Sequence, residues 1–223
     1  MISSRQDQRA QLLDAARRTV EESGPEALRA RALTAELGLS TQAIYTLFGG
    51  MPGLFEAIVA AGFDDFNRFV DAVPESDDTV ADFFAKGWAF GEWALNHPRL
   101  YRLMLGITGE GLRRHAGLEM VTAGAAAMPE AQRGVDILVR SIGRVIESGR
   151  IDPVDPVVAA GQFLSATHGY LLLEIAGAFG SEGAGLAVVA ALAVNLMVGL
   201  GDSREAAESS LRAAQEARLS SAA

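Results

Sequence analysis

The chain has 223 residues and contains no cysteine, which excludes structural disulfides and metal sites built from thiolates. Hydrophobic residues make up 49% of it and charged residues 21%, a balance typical of a folded protein rather than a disordered one. The formal net charge is −9, which at first argues against a nucleic-acid partner. No basic segment followed by an apolar one opens the chain, so we expect a cytoplasmic protein.

The distribution of charge weakens the objection to nucleic acid. Residues 1–50 contain six arginines and six acidic residues, so this segment is neutral, and residues 51–223 carry the entire net charge of −9. DNA binding by the first segment would depend on Arg5, Arg9, Arg29 and Arg31, and would be weak and salt-dependent in the absence of specific contacts.

The first 50 residues predict three helices. The first runs from about Arg5 to Ser23 and is stopped by Gly24-Pro25. A second, short helix has Leu33 and Leu37 on one side and ends at Gly38. The third begins after Ser40 or Thr41, either of which can cap it with its hydroxyl.

The third helix has two different faces. Ile44, Leu47 and Phe48 share one side at helical spacing, and Gln42, Tyr45 and Thr46 occupy the other, with Ala43 beside them. In a helix-turn-helix the apolar side packs in the core and the polar side enters the major groove. Gln can bind base edges, Thr and Ala can contact a thymine methyl, and a Tyr hydroxyl can reach a phosphate. From periodicity alone, an ordinary helical hairpin with a hydrated polar face remains an alternative.

The order of residues from Arg9 to Ala57 resembles the DNA-binding end of TetR-type transcriptional regulators. The matching positions are Arg9, Leu12, Leu13, Ala15, Ala16, Val20, Glu22, Gly24, Leu33, Gly38, Leu39, Ser40, Ile44, Tyr45, Phe48, Leu54 and Phe55. The resemblance implies an operator-binding helix-turn-helix. From the polar face of the third helix and the nearby positive charge, the residues expected to contact DNA are Arg29, Arg31, Thr41, Gln42, Ala43, Tyr45 and Thr46.

Three positions depart from the family pattern. Met51 stands where the family usually has Lys near a phosphate, Leu47 replaces a polar residue before the Phe, and Arg29 replaces the Ser or Thr that caps the second helix. The first two changes remove phosphate contacts. Arg29 and Arg31 could restore positive charge, and backbone N–H groups at Gly49, Gly50 and Met51 could bind a phosphate.

The rest of the chain also reads as helix, because glycine and proline separate long apolar segments and no alternating strand pattern is convincing. We therefore predict an all-α protein. Residues 1–50 would form a three-helix DNA-binding domain, and residues 51–223 a larger helical domain for effector binding and dimerisation.

Two C-terminal segments, about 156–178 and 184–200, are nearly free of charge. Each approaches the length of a membrane span, but Gln162, His168 and Asn195 would be costly in lipid. We favour a homodimer interface, because such helices bury one face in the protomer and the other against the partner. A dimer would present two recognition helices to two operator half-sites.

A second, looser resemblance covers roughly residues 80–180. Residues 96–104 together with Thr167-His168-Gly169 and Leu173-Glu174 resemble the WHG subgroup of TetR regulators, with Thr167 where that group has Trp. This resemblance implies a regulator that responds to a small-molecule effector.

An effector pocket is expected among the four helices predicted between about residues 78 and 178, since ligand pockets are mostly apolar with a few polar groups. The candidate lining residues are Phe84, Trp88, Trp93, Tyr101, Met104 and His168; each could equally be ordinary core.

No cofactor fingerprint or metal-ligand spacing occurs, and His97, His115 and His168 are far apart. An enzyme using His168 and Glu174 is conceivable, but on a helix these two side chains point apart.

The sequence thus predicts a homodimeric DNA-binding transcriptional regulator, a repressor released from its operator by an apolar small molecule, and not an enzyme. The alternative is a helical ligand-binding and dimerisation module that has lost DNA binding, which Met51 and the acidic balance would permit.

Overall fold

The computed structural model describes residues 4–107, 128–181 and 183–221, and all regular elements in these ranges are helical. The α-helices are α1 Arg5–Ser23, α2 Ala30–Glu36, α3 Gln42–Phe48, α4 Met51–Asp71, α5 Thr79–Asn96, α6 Pro98–Met104, α7 Pro129–Glu147, α8 Pro156–Ile175, α9 Leu186–Gly199 and α10 Arg204–Ser221. A short 3₁₀ turn, Pro25–Ala27, separates α1 from α2. The predicted all-α fold class is confirmed.

The chain packs into two compact units. The first consists of Met1–Asp65 and His97–Gln132, and the second of Phe66–Asn96 and Arg133–Ala223. Helix α4 is continuous across the first boundary, so its residues up to Asp65 belong to the first unit and the remainder to the second. This division is based on packing, whereas the boundary predicted at residue 50 separates two functions. The functional boundary stays a prediction.

Side chains from α1, α2, α3, α4 and α6 form the interior of the first unit. Those with at most 2% of their surface exposed include Leu12, Ala16, Val20, Leu33, Ile44, Leu54, Ile58, Leu100 and Leu103. Helix α1 begins with a capping box, in which the Ser4 hydroxyl accepts from the Asp7 N–H and the Asp7 carboxylate accepts from the Ser4 N–H. It ends before Gly24, which has φ +85°.

Helix α6 is joined to both α1 and α4 within the first unit. A Glu21 carboxylate oxygen lies 2.7 Å from His97 Nδ1, and Arg99 donates to the Glu21 carbonyl at 2.7 Å. A Cβ added to Gly62 of α4 would lie 2.8 Å from Met104 Sδ. A side chain at this position would require Met104 to shift, so α4 and α6 approach closely here.

The second unit is built on α5, α7, α8, α9 and α10, with Phe83, Phe84, Ile142, Phe163 and Met197 among its buried residues. Helix α8 begins at Pro156 and is capped by Asp155, whose carboxylate accepts from the Val157 and Val158 N–H groups. The turn before α9 is held by Glu174, whose carboxylate accepts from the backbone N–H groups of Gly183 at 2.6 Å and Gly185 at 3.2 Å.

No individual helix in the described ranges combines the length and apolar character needed to cross a membrane. One bent pair, Gln42–Phe48 with Met51–Asp71, meets that test jointly, by length and composition only.

Candidate nucleic-acid interface

The turn between α2 and α3 brings the two helices together as the sequence predicts. Helix α2 ends at Glu36, and Gly38 follows with φ +67°, a conformation that glycine adopts without strain. Helix α3 then spans Gln42–Phe48. The predicted side-chain cap is wrong: Thr41 occupies the N-cap position, but its hydroxyl makes no capping hydrogen bond. The first turn of α3 is closed instead by backbone bonds to the carbonyls of Ser40 and Thr41.

Helix α3 has one buried side and one exposed side. Ile44 is fully buried, whereas Tyr45 is 63% exposed. Gln42 and Thr46 are exposed and Ala43 is half-buried. The side chains predicted to contact bases and phosphates are therefore accessible together on a single short helix.

Two of these side chains have defined positions. The Thr46 hydroxyl donates to the Gln42 carbonyl at 3.0 Å, so its donor is used within the helix and its methyl group is available for contact. The Tyr45 ring lies alongside Gly50, where an added Cβ would be 3.5 Å from the ring. The ring therefore lies beside the residue that precedes α4.

The two arginines before the turn differ. Arg29 donates through Nη1 to the carbonyls of Glu26 and Leu28, so its guanidinium supports the 3₁₀ turn. Arg31 is exposed, and its side chain has no hydrogen bond or ion pair to the part of the chain that the structure describes. Of these two arginines, Arg31 is therefore the one whose guanidinium is available to bind a phosphate.

Residues from outside the helix-turn-helix hold the C-terminal end of α3. Arg5 Nη2 donates to the Thr46 carbonyl at 2.8 Å, and the Arg9 guanidinium lies 4.9 Å from the centre of the Phe48 ring. An added Cβ on Gly53 would be only 1.8 Å from the Phe48 carbonyl oxygen. The sequence indicated Arg5 and Arg9 only as sources of charge, because these contacts depend on how α1 packs.

Four of the six predicted effector-site residues lie in the second unit. Phe84 and Trp93 are buried, and Trp88 packs against the core that contains Phe84. Burial lowers the pKa of His168 to about 4, so this imidazole is neutral at pH 7.

Two phenylalanines that the sequence analysis did not single out connect these residues. Phe66 meets Trp93 edge-to-face at 5.4 Å and Phe90 at 4.8 Å, and Phe90 meets the His168 ring at 5.3 Å. Phe90 stands three residues before Trp93 and therefore on the same face of α5, which is the signal that could have identified it.

The other two predicted effector residues, Tyr101 and Met104, lie on α6 in the first unit. Both are buried, and burial raises the pKa of the Tyr101 phenol. Their part in effector binding stays a prediction. No group of three or more potential metal ligands occurs among the described residues; His115 lies outside them.

Two protein-family models match the chain, one at each end. Residues 12–58 match the model described as bacterial regulatory proteins of the tetR family, and residues 83–197 match the tetracyclin repressor-like C-terminal domain. The chain belongs to the TetR family. The assignment to its WHG subgroup remains a prediction.

Solved structures share the fold of this TetR-family chain over most of its length. A protein of unknown function from Rhodococcus sp. RHA1 is 26% identical, with 87% of this chain and 95% of that one covered and a TM-score of 0.70. RolR in complex with resorcinol is 19% identical, with coverages of 93% and 95% and a TM-score of 0.62. A TetR-family transcriptional regulator from Pectobacterium atrosepticum is 23% identical, with coverages of 90% and 97% and a TM-score of 0.56.

No curated protein sequence matches this TetR-family chain significantly. The family models at both ends, together with the exposed polar face of α3, identify a DNA-binding transcriptional regulator. Its ligand, its direction of regulation and its DNA contacts are proposals.

Proposed function

We propose that the chain is a homodimeric repressor that leaves its operator when an apolar small molecule binds the second unit. The observation that carries this proposal is the exposed polar face of α3, set against a fully buried Ile44. A hydrated helix in an ordinary hairpin would need no such concentration of Gln, Tyr and Thr side chains after a tight glycine turn.

In this proposal α3 enters the major groove. Gln42, Ala43 and Thr46 lie near base edges, and Thr41 and Tyr45 near phosphates. Arg31 supplies a phosphate contact from α2. Arg29 is a weaker candidate, because moving its guanidinium to DNA would release the carbonyls of Glu26 and Leu28.

The second copy is proposed to pack on α8 and α9. The exposed residues of these helices are uncharged and mostly small or apolar: Val157, Val158, Gln162, Ser165, Gly169 and Leu173 on α8, and Ala187, Val188, Ala191, Leu192, Asn195 and Gly199 on α9. Val158 and Val188 are each 53% exposed and Leu173 is 50% exposed. A second copy would remove this apolar surface from water.

The dimer proposal is tested by Leu173→Asp, with Arg212→Asp on α10 as a control that also adds an acidic side chain at an exposed position. A charge buried without a partner is strongly unfavourable. We therefore expect Leu173→Asp to shift the protein from dimer to monomer in light scattering, while the control stays dimeric. A Leu173→Asp protein that remains dimeric at micromolar concentration would place the interface elsewhere.

The effector is proposed to bind beside Trp88, Trp93 and His168, with Phe84 behind them. The neutral His168 can donate or accept one hydrogen bond without attracting an anion. The related structure RolR was solved with resorcinol, a small aromatic molecule. By analogy we propose an uncharged effector with an apolar body and a single hydrogen-bonding group.

An effector can release DNA only by as much as it prefers the conformer in which the recognition helices are misspaced. Within the first unit, α6 carries the contacts through which such a change would reach α1 and α4, namely those of His97 and Arg99 with Glu21 and of Met104 with Gly62. Effector binding is thus proposed to act on DNA affinity through the position of α6.

The experiment is a fluorescence-anisotropy titration of DNA flanking the protein's own gene, at about 50 to 200 mM salt, a range in which phosphate contacts are evident. Tyr45→Phe and Gln42→Ala are compared with Gln215→Ala, an exposed control on α10. We expect each α3 variant to weaken operator binding by about tenfold, since one base or phosphate contact contributes roughly 1–3 kcal/mol. The control should bind like the parent.

If folded, dimeric Tyr45→Phe and Gln42→Ala proteins bind as tightly as the parent, the contact assignment is wrong. If the parent prefers no flanking DNA over scrambled DNA, with or without candidate phenolic effectors, the module without DNA binding becomes the better account.

A further inference from the structure

We infer that Arg5 and Arg9 are positioning residues that hold the recognition helix α3 in its DNA-binding orientation, rather than residues that bind phosphate. The inference rests on the proposed role of α3 in the major groove. It assigns to the N-terminal turns of α1 a function that neither the helix-turn-helix pattern nor the family match specifies.

The Arg5 contact satisfies a backbone group that α3 cannot satisfy itself. The last four carbonyls of an α-helix have no partner within the helix. At the end of α3, Gly49 donates to the Tyr45 carbonyl, and Arg5 Nη2 donates to the Thr46 carbonyl at 2.8 Å. The positive guanidinium is also favourable at the negative end of the helix dipole.

The Arg9 contact holds the side chain at the same end of α3. Its guanidinium lies 4.9 Å from the centre of the Phe48 ring, a distance at which a cation is attracted to the ring face. Arg9 is four residues after Arg5 on α1, so both side chains leave the same face of that helix. Together they bind the backbone and the final side chain of α3.

Helix α3 depends on such contacts because it is short. It has seven residues, of which Ile44 is the buried one, and helices of this length are unstable in isolation. Ile44 fixes the middle of the helix in the core. Without Arg5 and Arg9, the end bearing Thr46 could fray or rotate about Ile44, and the base-contacting side chains would lose their common orientation.

A positioning role and a phosphate contact predict different results. Loss of a phosphate contact makes the negative slope of log affinity against log salt shallower by about 0.9. It also weakens binding to all DNA sequences alike. Loss of a positioning contact leaves that slope unchanged and selectively weakens binding to the operator. It also loosens α3 when no DNA is present.

The experiment uses the full-length protein and the variants Arg5→Gln, Arg9→Gln and Arg31→Gln. Arg31→Gln is the matched control, because it removes the same charge from an exposed side chain that makes no hydrogen bond or ion pair to the described residues. Hydrogen–deuterium exchange is measured without DNA for peptides that cover residues 42–53. Operator and scrambled DNA are then titrated at several salt concentrations.

We expect Arg5→Gln and Arg9→Gln to speed exchange in residues 42–53 several-fold and to lower the operator-to-scrambled affinity ratio about tenfold, with an unchanged salt slope. Arg31→Gln should leave exchange unchanged and reduce the salt slope by about 0.9. Arg5→Lys and Arg9→Lys, which retain a donor and a cation, should restore much of the parent exchange rate.

Parent-like exchange in both Gln variants overturns the inference, and so does a salt slope that falls by about 0.9 in both. Exchange that is faster throughout α1 as well as α3 would indicate general destabilisation and would also overturn it. If the parent binds no DNA specifically, the proposed function fails, while the exchange result still decides whether the two arginines hold α3.

Discussion

Protonation of His168 should destabilise the folded protein as the pH falls below about 6.5. The imidazole is largely buried in the second unit, and its burial lowers its pKa to about 4 from the ordinary 6.5. The unfolded chain therefore takes up a proton at a higher pH than the folded chain does. The contribution of the neutral His168 imidazole to the free energy of unfolding is fully present above the unfolded pKa of 6.5. It is lost as the pH falls from 6.5 toward 4.

The size of the effect follows from the two pKa values. Each pKa unit by which the folded and unfolded values differ corresponds to about 1.4 kcal/mol. The complete loss in the free energy of unfolding below pH 4 is therefore about 3 kcal/mol. Roughly 2 kcal/mol of this loss should already be present at pH 5, and almost none at pH 7.5.

The assay is urea unfolding of the parent and of His168→Gln at pH 7.5 and pH 5. Other groups titrate alike in both proteins, so the difference between them isolates the imidazole. The parent should lose about 2 kcal/mol more than the variant between the two pH values. An NMR titration of the folded parent should find the His168 ring still neutral at pH 5.5.

Equal losses in parent and variant, or a ring that titrates near pH 6.5, would refute the argument that burial controls this side chain. That result would also remove the basis for treating His168 as a neutral hydrogen-bonding group toward an effector.

Two further pairs of substitutions test one close contact and one set of backbone hydrogen bonds. Gly53→Ala places a Cβ 1.8 Å from the Phe48 carbonyl oxygen, so we expect a loss above about 2 kcal/mol in thermal unfolding; Gly87→Ala, where nothing lies within 4 Å, should instead stabilise α5 by about 0.5–1 kcal/mol. Equal effects would contradict the close approach at α4. Glu174→Ala removes the acceptor for two backbone N–H groups before α9 and should cost about 1–3 kcal/mol in urea unfolding. A smaller change in Glu174→Gln would support the hydrogen bonds, and no change in either would argue against them.

Features determined by local chemistry were predictable from the sequence. The start of α8 follows from Asp155-Pro156, because a carboxylate cap and a first-turn proline act within three residues. The turn at Gly38 follows in the same way from the positive φ that glycine tolerates. The side-chain cap at Thr41 was wrong because backbone hydrogen bonds close that turn instead.

Features determined by distant packing were not predictable. The bond from Arg5 to the Thr46 carbonyl spans 41 residues, and no spacing rule connects them. Likewise, apolar periodicity marks Trp93 and Tyr101 as core, but it does not say that they belong to different compact units.

The continuity of α4 has a consequence for engineering chimaeric regulators. A fragment cut at residue 50 would retain every proposed DNA contact but lose Leu54 and Ile58, both fully buried in the first unit. A fragment cut at Asp65 would still lack α6, which supplies the buried Leu100 and Leu103. The DNA-binding segment of this chain therefore cannot be transferred by itself to another regulator. An exchange of operator specificity between relatives must include α6, or it must be made by substituting exposed residues of α3 alone.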